Sequence, residues 1–173
     1  MRRIWAIRIF AITGVLALAF TTATADEGAT TFRTSMTGFQ ETPPILTNGS
    51  GTFHATVKGD SLTYTESFGG LTSNVTQSHI HFGERSLAGN IFVFLCTNLA
   101  NGPAGTPACP AGGGTVTGTV TAASVIGVPG QNITAGDFAA LLRILRSGDA
   151  YVNVHTIRFP AGEIRGQVRA GED

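Results

Sequence analysis

The chain is poor in charge and nearly devoid of lysine. Asp, Glu, Lys and Arg make up 13% of its 173 residues, about half the share of an average soluble domain. Lys58 is the only lysine, and no basic cluster appears in the linear sequence, which argues against nucleic acid as a partner. Cysteine is equally scarce, with two residues, so stability has to come from a buried core rather than a disulfide framework. There is no Gly-x-Ser-x-Gly elbow, no His-Glu-x-x-His helix and no phosphate-binding loop. The common hydrolase and nucleotide-binding readings fall with them. The acids Glu41, Glu66, Glu84, Asp137 and Glu163 are scattered, with no spacing that pairs two for glycoside hydrolysis. The chemistry-bearing residues thus point away from an enzyme. A hydrophobic content of 42% and zero net charge exclude a disordered chain.

The N-terminus carries an address. Arg2, Arg3 and Arg8 form a positive n-region, Ile9 to Phe20 an apolar h-region, and Ala23-Thr24-Ala25 a small-residue cleavage site. The apolar run is shorter than the ~20 residues a bilayer span needs. Residues 1–25 therefore read as a secretory signal peptide. Residues 26–173 read as one mature domain with its core at about 31–170. The product is expected to be secreted or periplasmic, with no membrane span, and to meet an extracellular or envelope ligand. Losing three arginines leaves acids in slight excess, which discourages binding to anionic lipid or DNA. An even cysteine count in an exported chain favours a structural Cys96–Cys109 disulfide. It would close the Gly/Pro/Ala-rich loop from Thr97 to Ala108 and contribute about 3 kcal/mol in the chain-entropy model.

In the mature part the dominant hydrophobic period is two. Thr52–Lys58, Ser61–Thr65 and Thr115–Thr121 alternate polar with apolar residues, the pattern of strands with one face buried. Further strands are expected at Thr31–Thr37, Val75–His81, Asn90–Cys96, Tyr151–Thr156 and Glu163–Arg169. Turn residues such as Pro43-Pro44, Gly59-Asp60 and Gly112-Gly113-Gly114 separate them. The predicted fold is all-β, a Greek-key β-sandwich or barrel of about eight antiparallel strands. One segment, about 134–147, switches to helical spacing. There Thr134 is the expected N-cap, Asp137 the N3 acid and Gly148 the stop, with Phe138, Leu141, Leu142 and Leu145 facing the sheet. It reads as one short crossover helix.

Histidine supplies the sharpest site. His79 and His81, two apart on a strand, project from one face while Ile80 turns to the core. His155 closes a strand whose Tyr151, Asn153 and His155 share the row opposite Val152 and Val154. If those two strands are neighbours, three imidazoles converge into a set that zinc or copper accepts, with a fourth position open. His54 shares its row with Thr52, Thr56 and Lys58, a solvated face, and stays outside the site.

The combination of Ser78-His-Ile-His-Phe-Gly83, Ala150-Tyr-Val-Asn-Val-His155 and Phe159-Pro-Ala-Gly-Glu-Ile-Arg-Gly-Gln167 resembles the CHRD domain, the module named after chordin. Glu41-Thr-Pro-Pro44, Gly51–Val57, Asn90–Cys96 and Gly136–Leu142 extend the resemblance over nearly the whole stretch from about Thr31 to Arg169. It implies an extracellular binding or structural module without catalysis of its own. A weaker similarity links His79, His81 and His155 to the copper ligands of copper-zinc superoxide dismutases, where Arg158 or Arg165 would supply a guiding charge.

Overall fold

The computed structural model describes residues 30–171; the signal peptide expected at residues 1–25 lies outside the described residues. Nine strands follow one another as β1 (Thr31–Thr37), β2 (Ser50–Lys58), β3 (Ser61–Gly69), β4 (Val75–Phe82), β5 (Asn90–Thr97), β6 (Gly114–Val120), β7 (Ala150–Thr156), β8 (Ile164–Gln167) and β9 (Arg169–Ala170). Among the described residues a single α-helix, α1 (Phe138–Ser147), lies between β6 and β7. None of the described helices is long and apolar enough to cross a membrane.

All strands join one antiparallel sheet in the order β5-β4-β7-β8-β1-β2-β3-β6, with β9 paired to β1. The two ends of this order nearly meet. Val93 on β5 bridges Val125 just beyond β6, the Ile126 amide donates to the Phe92 carbonyl, and the Tyr64 hydroxyl donates to Leu95. Of the two architectures expected, the sheet is barrel-like rather than a sandwich. Phe32, Met36, Phe53, Leu62, Ile80, Val152 and Ile164 fill its interior and are fully buried.

Two local expectations need correction. The helix begins later than its periodicity predicts. Asp137, not Thr134, is the N-cap, its carboxylate accepting from the Ala140 amide at 2.8 Å; an acid three residues before an orphan amide is the better cap. Its buried stripe is Leu141, Ile144 and Leu145, with Phe138 packed at the edge of the core and Leu142 half-buried. The three-and-four spacing runs through 141, 144 and 145. The expected strand 163–169 is also split, because β8 bonds both β7 and β1 whereas β9 bonds β1 alone.

Cys96 and Cys109 form the expected disulfide, with Cα atoms 5.0 Å apart. Asn98 ties down the loop between them: its amide donates to the Val75 and Cys109 carbonyls, and its oxygen accepts from the Cys109 amide. The interior also holds one carboxyl group. Glu66 is fully buried, and Ser78 Oγ lies 2.6 Å from Glu66 Oε1 and 3.0 Å from the Asn153 carbonyl. A hydroxyl has one proton and a carbonyl only accepts. The Ser78 hydroxyl therefore shares its one proton between Glu66 Oε1 and the Asn153 carbonyl. Burial pushes the Glu66 carboxyl up to about 8, against the opposing pull of the Ser78 hydrogen bond.

Two predictions follow from the packing. A Cys96→Ser/Cys109→Ser variant loses about 3 kcal/mol, which lowers the melting temperature by roughly 10 °C; thermal melts with and without reductant check it. A carboxyl raised by folding stabilises the native state at low pH and withdraws that support as pH climbs through its folded value. The Glu66 contribution should therefore decline as pH rises from about 4.5 to about 8 and level off above that, and denaturant titrations should show Glu66→Gln escaping that decline.

Candidate metal centre

Strands β4 and β7 are neighbours, with His79 opposite Asn153 and His81 opposite Tyr151. On the other side of β7, Asn153 faces Arg165 and Tyr151 faces Gln167 on β8. Alternation sends Ser78, Ile80, Val152, Val154 and Ile164 into the barrel. The same alternation sends His79, His81, Tyr151, Asn153, His155, Arg165 and Gln167 outward. That outward set is polar and yet buried: His79 is 0% exposed, His81 and His155 6% each. Every residue of β7 is buried, so this strand has no wet face.

Three turns close over the set. The turn after β1 brings in Glu41, which lies against Asn153 and Arg165. The loop after β4 offers the Glu84 and Leu87 carbonyls, each accepting from Arg165 Nη2 at 2.9 Å. The turn after β7 supplies the Pro160 carbonyl, 2.9 Å from His155 Nδ1. Gly162 there adopts φ 126°; a Cβ at this position would collide with Glu41 Oε1 and sit 2.7 Å from Asn153 Nδ2, so only glycine lets the turn come this close.

Backbone carbonyls orient two of the rings. Pro160 can only accept, which favours the proton on His155 Nδ1. His155 Nε2 lies 3.1 Å from His79 Nδ1 and 3.0 Å from Asn153 Oδ1. His81 Nδ1 donates to the Gly89 carbonyl at 3.0 Å, which leaves its Nε2 unprotonated. The Nε2 atoms of His79 and His81 are buried with no hydrogen-bond partner.

Burial keeps the three rings neutral. His79 is pushed down to about 2 by burial, then by the neighbouring His155 and His81. His81 is pushed down to about 4, again chiefly by burial. His155 is lowered by burial against the Pro160 carbonyl, which favours its proton. Rings pack around the cluster: Phe94 meets His79 edge-on at 4.4 Å, and Tyr151 stacks on His81 at 4.6 Å. Arg165 lies 3.4 Å above the Tyr151 ring.

These residues suit a transition metal. One ring nitrogen from each histidine can be chosen so that all three lie within 4.8 Å of one another. Donors on a tetrahedral ion with bonds of about 2.0 Å stand ~3.3 Å apart, so the widest separation has to contract on binding. Two rings are oriented by backbone carbonyls accepting from their far nitrogens, the usual outer support of histidine ligands. His81 also lines a groove of about 640 Å³, together with Gly89–Ile91 and Gly127–Gly130, which offers an entry path.

His79, His81 and His155 are thus brought together, whereas His54 is exposed on β2 and plays no part. Arg165 is held over Tyr151 by the two loop carbonyls, and Arg158 is exposed beside Phe159, so neither is aimed at the cluster as a guiding charge. Sequence spacing missed Glu41 and Phe94 as neighbours. Both reach the cluster from other strands or turns, and only the Glu41-Thr-Pro-Pro44 motif marked one of them.

A nearly closed antiparallel barrel with one disulfide-tied loop and a buried polar face defines an all-β module. The chain belongs to the CHRD-domain family, whose model matches residues 32–168. No curated protein and no solved structure matches the chain.

The depressed histidines set a pH dependence for the metal-free protein. In the unfolded chain they take up protons as pH falls through about 6.5, whereas in the native state they resist until far lower. The histidine contribution to stability is therefore complete above pH 6.5 and is lost steadily below it, opposite in sign to that of Glu66. In denaturant titrations from pH 7 to 4, the stability of the wild type relative to His79→Leu should fall as pH falls.

Proposed function

We propose that this is an exported CHRD-domain binding protein, with no catalysis of its own, whose three-histidine centre takes up one copper or zinc ion. The leader at residues 1–25 and the Cys96–Cys109 disulfide support export to an oxidising compartment. The observation that carries the metal reading is the pair of buried, partnerless Nε2 atoms on His79 and His81, set beside His155. Leaving a buried acceptor unsatisfied costs about 1–3 kcal/mol each, and a bound cation removes that cost where donors are scarce.

The chemistry of the donor set points to the ion. Three neutral imidazoles without a carboxylate among them favour zinc or copper over magnesium or calcium. When bound, the ion would act as a Lewis acid or, if copper, as a redox centre. The chain's own contribution is to keep the imidazoles deprotonated, to hold His81 and His155 by their Nδ1 protons, and to shield the site with Phe94 and Tyr151.

Titration of the metal-free exported protein with Cu(II) and Zn(II) at neutral pH should give one ion per chain. Single His79→Ala, His81→Ala and His155→Ala variants should each weaken binding by at least about 100-fold, judging from losses already seen for outer-shell partners, and the triple variant should not bind. Excess metal should raise wild-type stability by about 3 kcal/mol at 100 times Kd. A wild-type protein that ignores both metals, while folded, ends the reading.

A further inference from the structure

A second feature lies on a different part of the outer surface and uses none of the three histidines. Across β9, β1 and β2, Arg169 stands directly opposite Arg33, and Arg33 directly opposite His54. Like charges placed opposite one another in a sheet repel. Arg85, from the loop after β4, joins them to line a groove of about 580 Å³ in which no lining side chain is a carboxylate. This convergence gathers three of the few basic residues of a chain that is otherwise neutral to acidic. Sequence order hides it, because the three arginines come from three distant segments. At the groove's base is Gln167, 6% exposed. Its Nε2 donates to the Gly83 and Gly148 carbonyls, while its Oε1 is buried without a donor.

The groove does not end at the arginines. Ser35 and Thr52 line both it and a second groove of about 600 Å³. The second continues over β2, β3 and β6. Its lining is uncharged, and it carries a row of hydroxyls in register: Ser35 opposite Thr52, Thr52 opposite Ser67, and Ser67 opposite Thr115. The result is one trough with a cationic end and a hydroxyl-lined extension.

We infer that this trough binds an acidic oligosaccharide. A sugar carboxylate meets Arg33, Arg85 and Arg169, where charge-assisted hydrogen bonds are strongest. Ring hydroxyls exchange hydrogen bonds with Ser35, Thr52, Ser67 and Thr115, and a hydroxyl beside the acid group matches the donor that Gln167 Oε1 lacks. An inorganic anion would use only the cationic end and would leave the hydroxyl row idle. The ligand satisfies the repulsion built into the Arg169–Arg33 pair, so the unliganded protein carries a cost that binding repays.

Calorimetric titration of the exported protein with tetragalacturonate, cellotetraose and inorganic phosphate tests it. Tetragalacturonate should bind, with an affinity that falls as salt is added, and cellotetraose should not bind measurably. Arg33→Gln/Arg169→Gln should weaken tetragalacturonate binding by about tenfold or more while melting at an equal or higher temperature. Thr52→Val should weaken tetragalacturonate but leave any binding of phosphate unchanged. Four results would overturn the proposal: no binding of tetragalacturonate at low salt, equal affinity in the double arginine variant, equal binding of the neutral sugar, or binding of phosphate alone. Because the metal ligands are untouched, the outcome is independent of the three-histidine centre.

Discussion

The rest of the structure answers to the pairing of β4 with β7, a pair buried on both faces. Inward, Ile80, Val152 and Val154 join the apolar core, which any antiparallel sheet would provide. Outward, the same strands carry imidazole, amide and phenol groups away from water. Polar atoms so placed have to be partnered inside the protein, because desolvation is otherwise uncompensated. The surrounding turns exist in positions that supply those partners. Carbonyls of Gly89 and Pro160 take the histidine protons, and those of Glu84 and Leu87 take Arg165.

The segment Gly162-Glu-Ile-Arg-Gly166 shows how tightly sequence is bound to this arrangement. Gly162 lets the turn approach Glu41 and Asn153. Glu163 gathers Thr47, Thr72 and Thr156 onto one carboxylate, accepting from three hydroxyls and the Thr72 amide at 2.7 to 2.9 Å. Burial by itself would raise that carboxyl, but the four donors outweigh it and hold it below the ordinary range. Ile164 faces the core, and Arg165 covers Tyr151. Gly166 lets β8 pass beside β1, since a Cβ there would meet Thr34 Oγ1 and Ser35. Five adjacent residues thus have five separate reasons, none of which is local periodicity.

This explains what could and could not be read in the sequence. Strands facing water on one side, such as β2, β3 and β6, were legible because alternation reports directly on a wet face and a dry one. The pair His79 and His81 was legible for the same reason, since a period of two puts them on one face wherever the strand lies. Their proximity to His155 was not, because β4 and β7 are separated by some seventy residues and no local signal states which strands pair. Burial of the outer face was also illegible: Tyr151, Asn153 and His155 read only as the row opposite Val152 and Val154, and the turns from elsewhere in the chain make them interior. At α1, periodicity located the helix but not its first residue, because capping depends on one side chain reaching one amide.

The two buried polar centres of this face differ in a way that bears on function. Glu163 is saturated: each contact is a donor to an acceptor, and nothing is left over. The histidine layer is not. Of the five buried side-chain atoms lacking a partner among the described residues, four belong to outward-facing groups around β4, β7 and β8: Glu41 Oε1, His79 Nε2, His81 Nε2 and Gln167 Oε1. A scaffold selected only for stability gains by replacing such groups with apolar ones, as the opposite face of the same strands already does. The Nε2 atoms of His79 and His81, two positions apart on one strand, are among them, whereas the Nδ1 atoms of His81 and His155 meet carbonyls. His81 is therefore held at one ring edge and open at the other, the arrangement on which the proposed coordination rests.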